Sequence, residues 1–171
     1  CVSWLDAEGR PAPAQGTPID AAARALREGW IVALRGLGGF NLACDATAAE
    51  AVKRLRERKR REAKPFAVMV ADLDAARRLA QVGEAEARLL TSPERPIVLL
   101  AARPDTGPLA PEVAPGLSLM GLLLPYTPLH QLLLAAAGRP LVMTSGNRAD
   151  EPIAVSNAEA LARLRGIADA F

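Results

Sequence analysis

Cysteine, histidine and aromatic residues are scarce in this 171-residue chain, and each scarcity removes a class of chemistry. Two cysteines, Cys1 and Cys44, cannot make a four-thiolate zinc site or a disulfide framework, so a reducing cytoplasm is the expected setting. Cys44 lies in an apolar run and reads as a reduced core residue. The one histidine, His130, would have to serve any hydrolase triad alone, and no nucleophile elbow accompanies it. It follows Pro128 in the first turn of a helix, which gives it a structural or surface role. Aromatic residues are 4% of the chain and none falls between Lys53 and Lys64, so base stacking has no support there. No apolar run approaches the roughly 20 residues that span a bilayer, and no signal peptide is visible, so no membrane association is expected. Lysine is also rare, three against eighteen arginines, a bias that reads as genome composition.

What the chain does have is concentrated charge. The stretch Lys53–Lys64, KRLRERKRREAK, holds eight of the 21 basic residues and two of the 19 acidic ones. The remainder, with 13 basic and 17 acidic residues, is net negative although the whole chain is +2. Such focusing suits a polyanion such as a nucleotide or RNA, or else the solvated end of a helix. The length fits one domain, 1–171, which at this size buries roughly 70% of its unfolded surface. Because the chain starts at Cys1 rather than Met and stops at Phe171 without a polar tail, it is expected to be excised from a larger protein.

Periodicity alternates helix and strand. Thr17-Pro18 caps a helix whose Ile19, Ala22, Ala23 and Leu26 share a face before Gly29. Residues 30–34 read as a buried strand, Arg35–Phe40 as a glycine-rich turn, and Asn41–Cys44 as renewed strand. Thr47 and Glu50 suggest a capping box for the helix entering the basic run. Further strands are expected at 66–70, 97–100, 119–124 and 141–144, with helices after Asp72, over 84–90, after Thr127 and after Ser156. Residues 102–116 hold four prolines and two glycines and should be mostly loop. Continuously apolar strands between helices indicate an α/β fold, a twisted sheet covered by helices.

Helical phase singles out one cation. Val52, Leu55 and Lys59 stand at i, i+3 and i+7, aiming Lys59 inward while Arg54 and Arg58 point elsewhere. Arg61 lies where the helix must yield before Pro65, so Lys59 and Arg61 can converge on one cleft. A compact ammonium beside a forked guanidinium suits adjacent phosphates. Ser145-Gly146-Asn147 directly follows a buried strand, where α/β sheets present ligand groups, although the same residues also make a simple polar turn. Arg35 with Gly36, Gly38 and Gly39 also follows a strand, but it is neither a Walker sequence nor a full dinucleotide fingerprint.

Lys59-Arg60-Arg61, Lys64-Pro65 and Ser145-Gly146-Asn147 together resemble the KxR and SxN signature of the YrdC-like family. Arg35–Phe40, Leu42–Ala46, Lys64–Met69, Ser92-Pro93 with Arg95–Val98, and Leu124–His130 are similar to the HypF carbamoyltransferase branch of that family, over nearly the whole chain. The resemblance implies a mixed, open, twisted sheet flanked by helices around a basic cleft. It implies ATP, with its Mg²⁺, and carbamate as ligands, giving carbamoyl-adenylate and pyrophosphate. Lys59 and Arg61 would be catalytic and nucleotide-binding, Ser145 and Asn147 nucleotide-binding, and Arg35 is the candidate for holding carbamate; no protein metal ligand is expected. In the parent enzymes, an acylphosphatase domain hydrolyses carbamoyl phosphate, and a further domain passes the carbamoyl group to HypE during [NiFe]-hydrogenase maturation. Double-stranded RNA or tRNA is a partner of some family members. Three departures stand out: Glu62 where proline is common, Asn41 where HypF sequences usually have histidine, and Ala149-Asp150 where Ser-Gly is usual. Threonylcarbamoyl-adenylate synthesis, antibiotic O-carbamoylation and RNA binding remain the alternatives.

Overall fold

The computed structural model describes residues 2–61, 64–103, 109–149 and 151–171. Its helices are α1 (Pro18–Arg27), α2 (Ala49–Lys59), α3 (Leu73–Leu79), α4 (Glu84–Thr91), α5 (Pro128–Ala137) and α6 (Asn157–Arg163). Its strands are β1 (Val32–Arg35), β2 (Phe40–Asp45), β3 (Ala67–Met69), β4 (Val98–Ala101), β5 (Leu119–Leu123) and β6 (Leu141–Ser145). They form one six-stranded sheet in the order β1-β2-β6-β3-β5-β4. Only β3 and β5 pair in parallel; the other neighbours are antiparallel, so the sheet is mixed as expected.

Alternation of side chains along each strand divides the apolar residues between two faces. Val32, Leu34, Ala43, Met69, Leu123, Leu141 and Met143 pack against α1 and α5. Ala33, Leu42, Cys44, Val68, Leu122 and Val142 pack on the other side with Val52 and Leu55 of α2, Ala76 of α3 and Ala160 of α6. At about 25 cal/mol per Å² of apolar surface, each fully buried leucine contributes roughly 2 kcal/mol. Cys44 is buried and free, and desolvation raises its thiol well above the usual range, as fits an inert core residue.

Local chemistry explains most element ends. The side chains of Thr17, Asp72, Thr127 and Ser156 each accept from a backbone N–H in the first helical turn, and α1 and α6 have complete capping boxes. Gly138 ends α5 in the left-handed region at φ +69. The expected box at Thr47 does not form. Asp45 captures both the Thr47 N–H (2.8 Å) and its hydroxyl (2.7 Å), and α2 starts one residue later from Ala48 without a side-chain cap. Asp45 is in turn paired with Arg139 at 2.5 Å.

Two strands differ from their expected burial. Trp30 stays outside β1 and is 42% exposed, although Ile31 beside it is buried. β4 is covered on one face only, so Val98 and Leu100 face the core while Ile97 and Leu99 are open to solvent. A continuous apolar run therefore conceals a one-sided strand. In the proline-rich loop, Pro111–Val113 makes a 3-10 turn.

Candidate functional site

Helix α2 carries Lys59 on the stripe of Val52 and Leu55, and the lysine ends 98% buried. Its Nζ donates to the carbonyls of Ser145 (2.6 Å) and Asn147 (2.6 Å) and to Asn147 Oδ1 (2.7 Å). Ser145 Oγ lies a further 3.4 Å away and donates to the same Oδ1 at 2.6 Å. Lys59 thus clasps the turn after β6, and its three protons have oxygen acceptors there. Burial first, and the Arg61 charge second, lower the Lys59 ammonium to about 8.

The turn is pinned from the other side as well. The Gly146 N–H donates to Phe40 O at 2.7 Å, and the Ala154 N–H donates to Gly146 O at 2.9 Å. A Cβ on Gly146 would stand 2.6 Å from Phe40 O, so only glycine permits this approach. Sheet register sets Asn41 opposite Ser145, joining the glycine-rich segment to the turn. Asn41 Oδ1 accepts from the Tyr126 hydroxyl at 3.1 Å, and a Cβ on Gly36 would fall within 2.3 Å of that oxygen.

Beside this turn opens a cavity of about 670 Å³ lined by Arg61, Asn41, Tyr126, Thr144 and Ser145, with Ala67, Leu123, Met143 and Ile97 as its apolar part. Arg61 is held there by donation from Nε to Lys64 O (3.2 Å) and from Nη2 to Pro65 O (2.8 Å), with its guanidinium 5.3 Å from the Phe66 ring centre. Left-handed Arg60 (φ 54) ends α2 and turns the chain, so that residues two apart can serve one region. The expected convergence is met only in part: Lys59 grips the turn that edges the cavity, and of the two cations only Arg61 lines it.

Arg35 is placed differently. It lines a second, largely apolar cavity of about 490 Å³, where Nη1 donates to Asn157 Oδ1 at 3.2 Å. It is not among the residues lining the cavity of Arg61 and Ser145. Of the three departures, Glu62 and Asp150 lie outside the described residues, as does Cys1. The Ala149 N–H donates to Lys59 O at 3.2 Å, and Asn41 is part of the cavity wall.

The remaining basic residues are more than solvated charge. Arg56 donates to the carbonyls of Glu112 (2.7 Å), Arg61 (2.9 Å), Lys64 (3.1 Å) and Val113 (3.2 Å), and its guanidinium lies 4.7 Å from the Phe66 ring centre. Arg58 pairs with Asp169 at 2.6 Å, and Arg54 donates to Gly29 O. Sequence reasoning missed this tethering although Arg56, at i+4 from Val52, shares the inward stripe of Leu55 and Lys59, because it stands in a run of charges. It also gave no role to Tyr126 and Thr144, which reach the cavity through contacts distant in sequence. His130 is fully buried at the edge of the Tyr126 ring, 4.3 Å between centroids, and neither ring nitrogen has a hydrogen-bond partner among the described residues. Burial lowers it to about 4, which makes it a neutral core residue at physiological pH.

The architecture is a mixed α/β sheet with a lysine-clasped turn beside an arginine-lined cavity, and comparison with known proteins identifies the family. The Sua5/YciO/YrdC family, described as "Telomere recombination", matches residues 24–171, and the chain belongs to it. More particularly, it is 51% identical over 184 residues to carbamoyltransferase HypF2 of Cupriavidus necator, covering 99% of this chain and 23% of that protein. The crystal structure of full-length HypF in its phosphate- and nucleotide-bound form superposes with a TM-score of 0.92 at 44% identity, over 99% of this chain and 22% of that one. Threonylcarbamoyl-AMP synthase of Bacillus subtilis is 30% identical over 160 residues, 88% of this chain and 45% of that protein. The chain spans about a fifth of the length of the HypF proteins it matches. Among the described residues, no helix is long and apolar enough to cross a membrane.

Proposed function

We propose that this chain is the adenylation module, residues 1–171, of a HypF-type carbamoyltransferase, joining carbamate to the α-phosphate of ATP. The observation that carries the reading is the Lys59 clasp on Ser145-Gly146-Asn147 at the edge of a cavity that also holds Arg61. A carbamate oxygen attacks the α-phosphorus and forms the new C–O–P linkage. The bond to the bridging oxygen of the β-phosphate breaks, and its electron pair leaves with pyrophosphate. Charge grows on phosphoryl oxygens during this step, so fixed cations and preoriented donors contribute most of the catalysis. Arg61 supplies a guanidinium at the cavity wall, while Ser145 and Asn147 bind the nucleotide in the geometry that Lys59 imposes. A neutral His130 at the edge of the Tyr126 ring leaves little acid-base chemistry for the protein to perform.

Mg²⁺ belongs to the triphosphate in this reading. Arg35 lies in the neighbouring cavity and would reach carbamate only as a second, flanking contact. Delivery of carbamate from carbamoyl phosphate, and transfer of the carbamoyl group onward to HypE, would be the work of other parts of the parent protein.

The RNA-binding alternative is disfavoured by the engagement of Arg54, Arg56, Arg58, Lys59 and Arg61 with protein oxygens. A salt-dependent polyanion surface needs free cations, and that run retains few. ATP-pyrophosphate exchange decides between the enzymatic readings. Exchange driven by carbamate is expected; exchange driven only by threonine with bicarbonate would assign the chain to the threonylcarbamoyl branch.

A further inference from the structure

Arg95 is a second arginine on the same cavity, and nothing above gives it a task. Its backbone is unusual. Among the described residues only Arg60 and Arg95 are non-glycine residues with positive φ, and Arg60 has the ordinary reason of ending a helix. Arg95, at φ 46, comes three residues after α4 has been capped by Ser92, and it precedes Pro96. A side chain at Cβ disfavours the left-handed region, and a following proline favours extended backbone instead. Glycine or asparagine would occupy this position at lower cost. Strain of this kind persists at places where the side chain has a use.

The side chain is held but not consumed. Its Nη1 donates to Leu90 O at 3.1 Å, at the end of α4, and its other guanidinium nitrogens have no hydrogen-bond partner among the described residues. The neighbouring Glu94 also lines the cavity, but its carboxylate accepts from its own backbone N–H and from Ser92. Arg95 stands where the 670 Å³ cavity adjoins another of about 520 Å³ that includes Arg77, Asp72, Asp74 and Thr91, with Asp74 paired to Arg77 at 3.4 Å and Asp72 capping α3, so it lines both. Arg61, by contrast, shares the first cavity with Ser145 and does not line the second.

We propose that Arg95 is a nucleotide-binding residue that takes the terminal phosphates of the triphosphate and the pyrophosphate released from it, while Arg61 takes the phosphate at the reacting bond. The assignment rests on the adenylation reading. A guanidinium tethered through one nitrogen keeps a fork for two phosphoryl oxygens, and the junction between the cavities gives an extended anion a way outward.

Isothermal titration of the full chain with ATP, pyrophosphate and AMP tests this, using Arg95→Gly, Arg95→Asn and Arg61→Ala. Both Arg95 variants relieve the backbone cost, so their melting temperatures should equal or exceed that of the unmodified protein. Their affinity for ATP and for pyrophosphate should fall at least tenfold, with AMP affinity within twofold. Arg61→Ala should weaken AMP and ATP alike. Unchanged ATP and pyrophosphate affinity in both Arg95 variants, or an equal loss for AMP, overturns the role of Arg95 while leaving that of Arg61 intact. Failure of the unmodified protein to bind ATP overturns the adenylation reading, and this assignment with it.

Discussion

Lys59→Met removes the ammonium while keeping a long apolar side chain on the α2 stripe, and its consequences follow from the clasp. Three acceptors at 2.6, 2.6 and 2.7 Å lose their donor. Each lost hydrogen bond to the ammonium costs about 1.5 to 3 kcal/mol, about 6 kcal/mol for the three, although Ser145 O keeps the Asn147 N–H and Asn147 Oδ1 keeps the Ser145 hydroxyl. Methionine also avoids burying a charge, and the fall of Lys59 from its ordinary 10.5 to about 8 corresponds to roughly 3 kcal/mol. The expected net loss of stability is therefore about 3 kcal/mol, within what a chain of this size tolerates. The Ser145-Asn147 turn bears the damage, and carbamate-dependent ATP-pyrophosphate exchange should fall at least a hundredfold, equivalent to about 3 kcal/mol of transition-state stabilisation. Thermal melting and exchange measured on the same preparation separate the two effects. Exchange at the unmodified rate in a folded Lys59→Met protein would refute the reasoning. Titration supplies a second signature. The folded chain releases the Lys59 proton near 8 and the unfolded chain only near 10.5, so the unfolded state holds more protons in between. Stability from this group must then rise with pH across that window, while exchange falls as the clasp loses a donor. Lys59→Met should show neither trend.

Gly146→Ala sets a Cβ 2.6 Å from Phe40 O, a backbone atom that cannot swing away, so we expect a stability loss of about 1 to 3 kcal/mol with near-complete loss of exchange. Circular dichroism melts and exchange assays check both. Arg56→Met frees the carbonyls of Glu112, Val113, Arg61 and Lys64 and should cost about 3 kcal/mol in chemical denaturation, with a weaker effect on exchange than Arg61→Ala. Equal effects of the two variants on exchange would contradict the separation between support and site. His130 is depressed to about 4, so below its ordinary 6.5 the unfolded state takes up a proton that the folded state refuses. Between pH 7 and pH 5 this should remove about 2 kcal/mol of stability, and His130→Phe should abolish that part of the pH dependence.

Helical caps and the inward phase of Lys59 were legible because both depend on spacings of three or four residues. The sequence could equally place Lys59 and Arg61 on one cleft, since Pro65 forces the helix to stop between them and the next strand. Competition between alternative partners was not legible. Thr47 has a capping pattern, but Asp45 is nearer and takes its hydroxyl. Ile97–Leu100 is apolar at every position, yet only one face of β4 is covered, so half of that apolarity faces outward. Arg56 and Arg58 looked like solvent charge because their carbonyl and Asp169 partners are distant in sequence. Arg35 ends a strand just before a glycine, as Ser145 does, but the cavities that the two residues line are different.

The burial of Lys59 also gives the chain a chemical reporter. Its other lysines, Lys53 and Lys64, are exposed, so an amine-acylating reagent meets two open targets and one enclosed target. Lys59 can react only when the Ser145-Asn147 turn lets go. The rate of its acylation relative to Lys53, read by mass spectrometry of peptides, therefore measures how often that turn opens. A nucleotide that tightens the turn would slow labelling at one residue in a protein with very few lysines to confuse the signal.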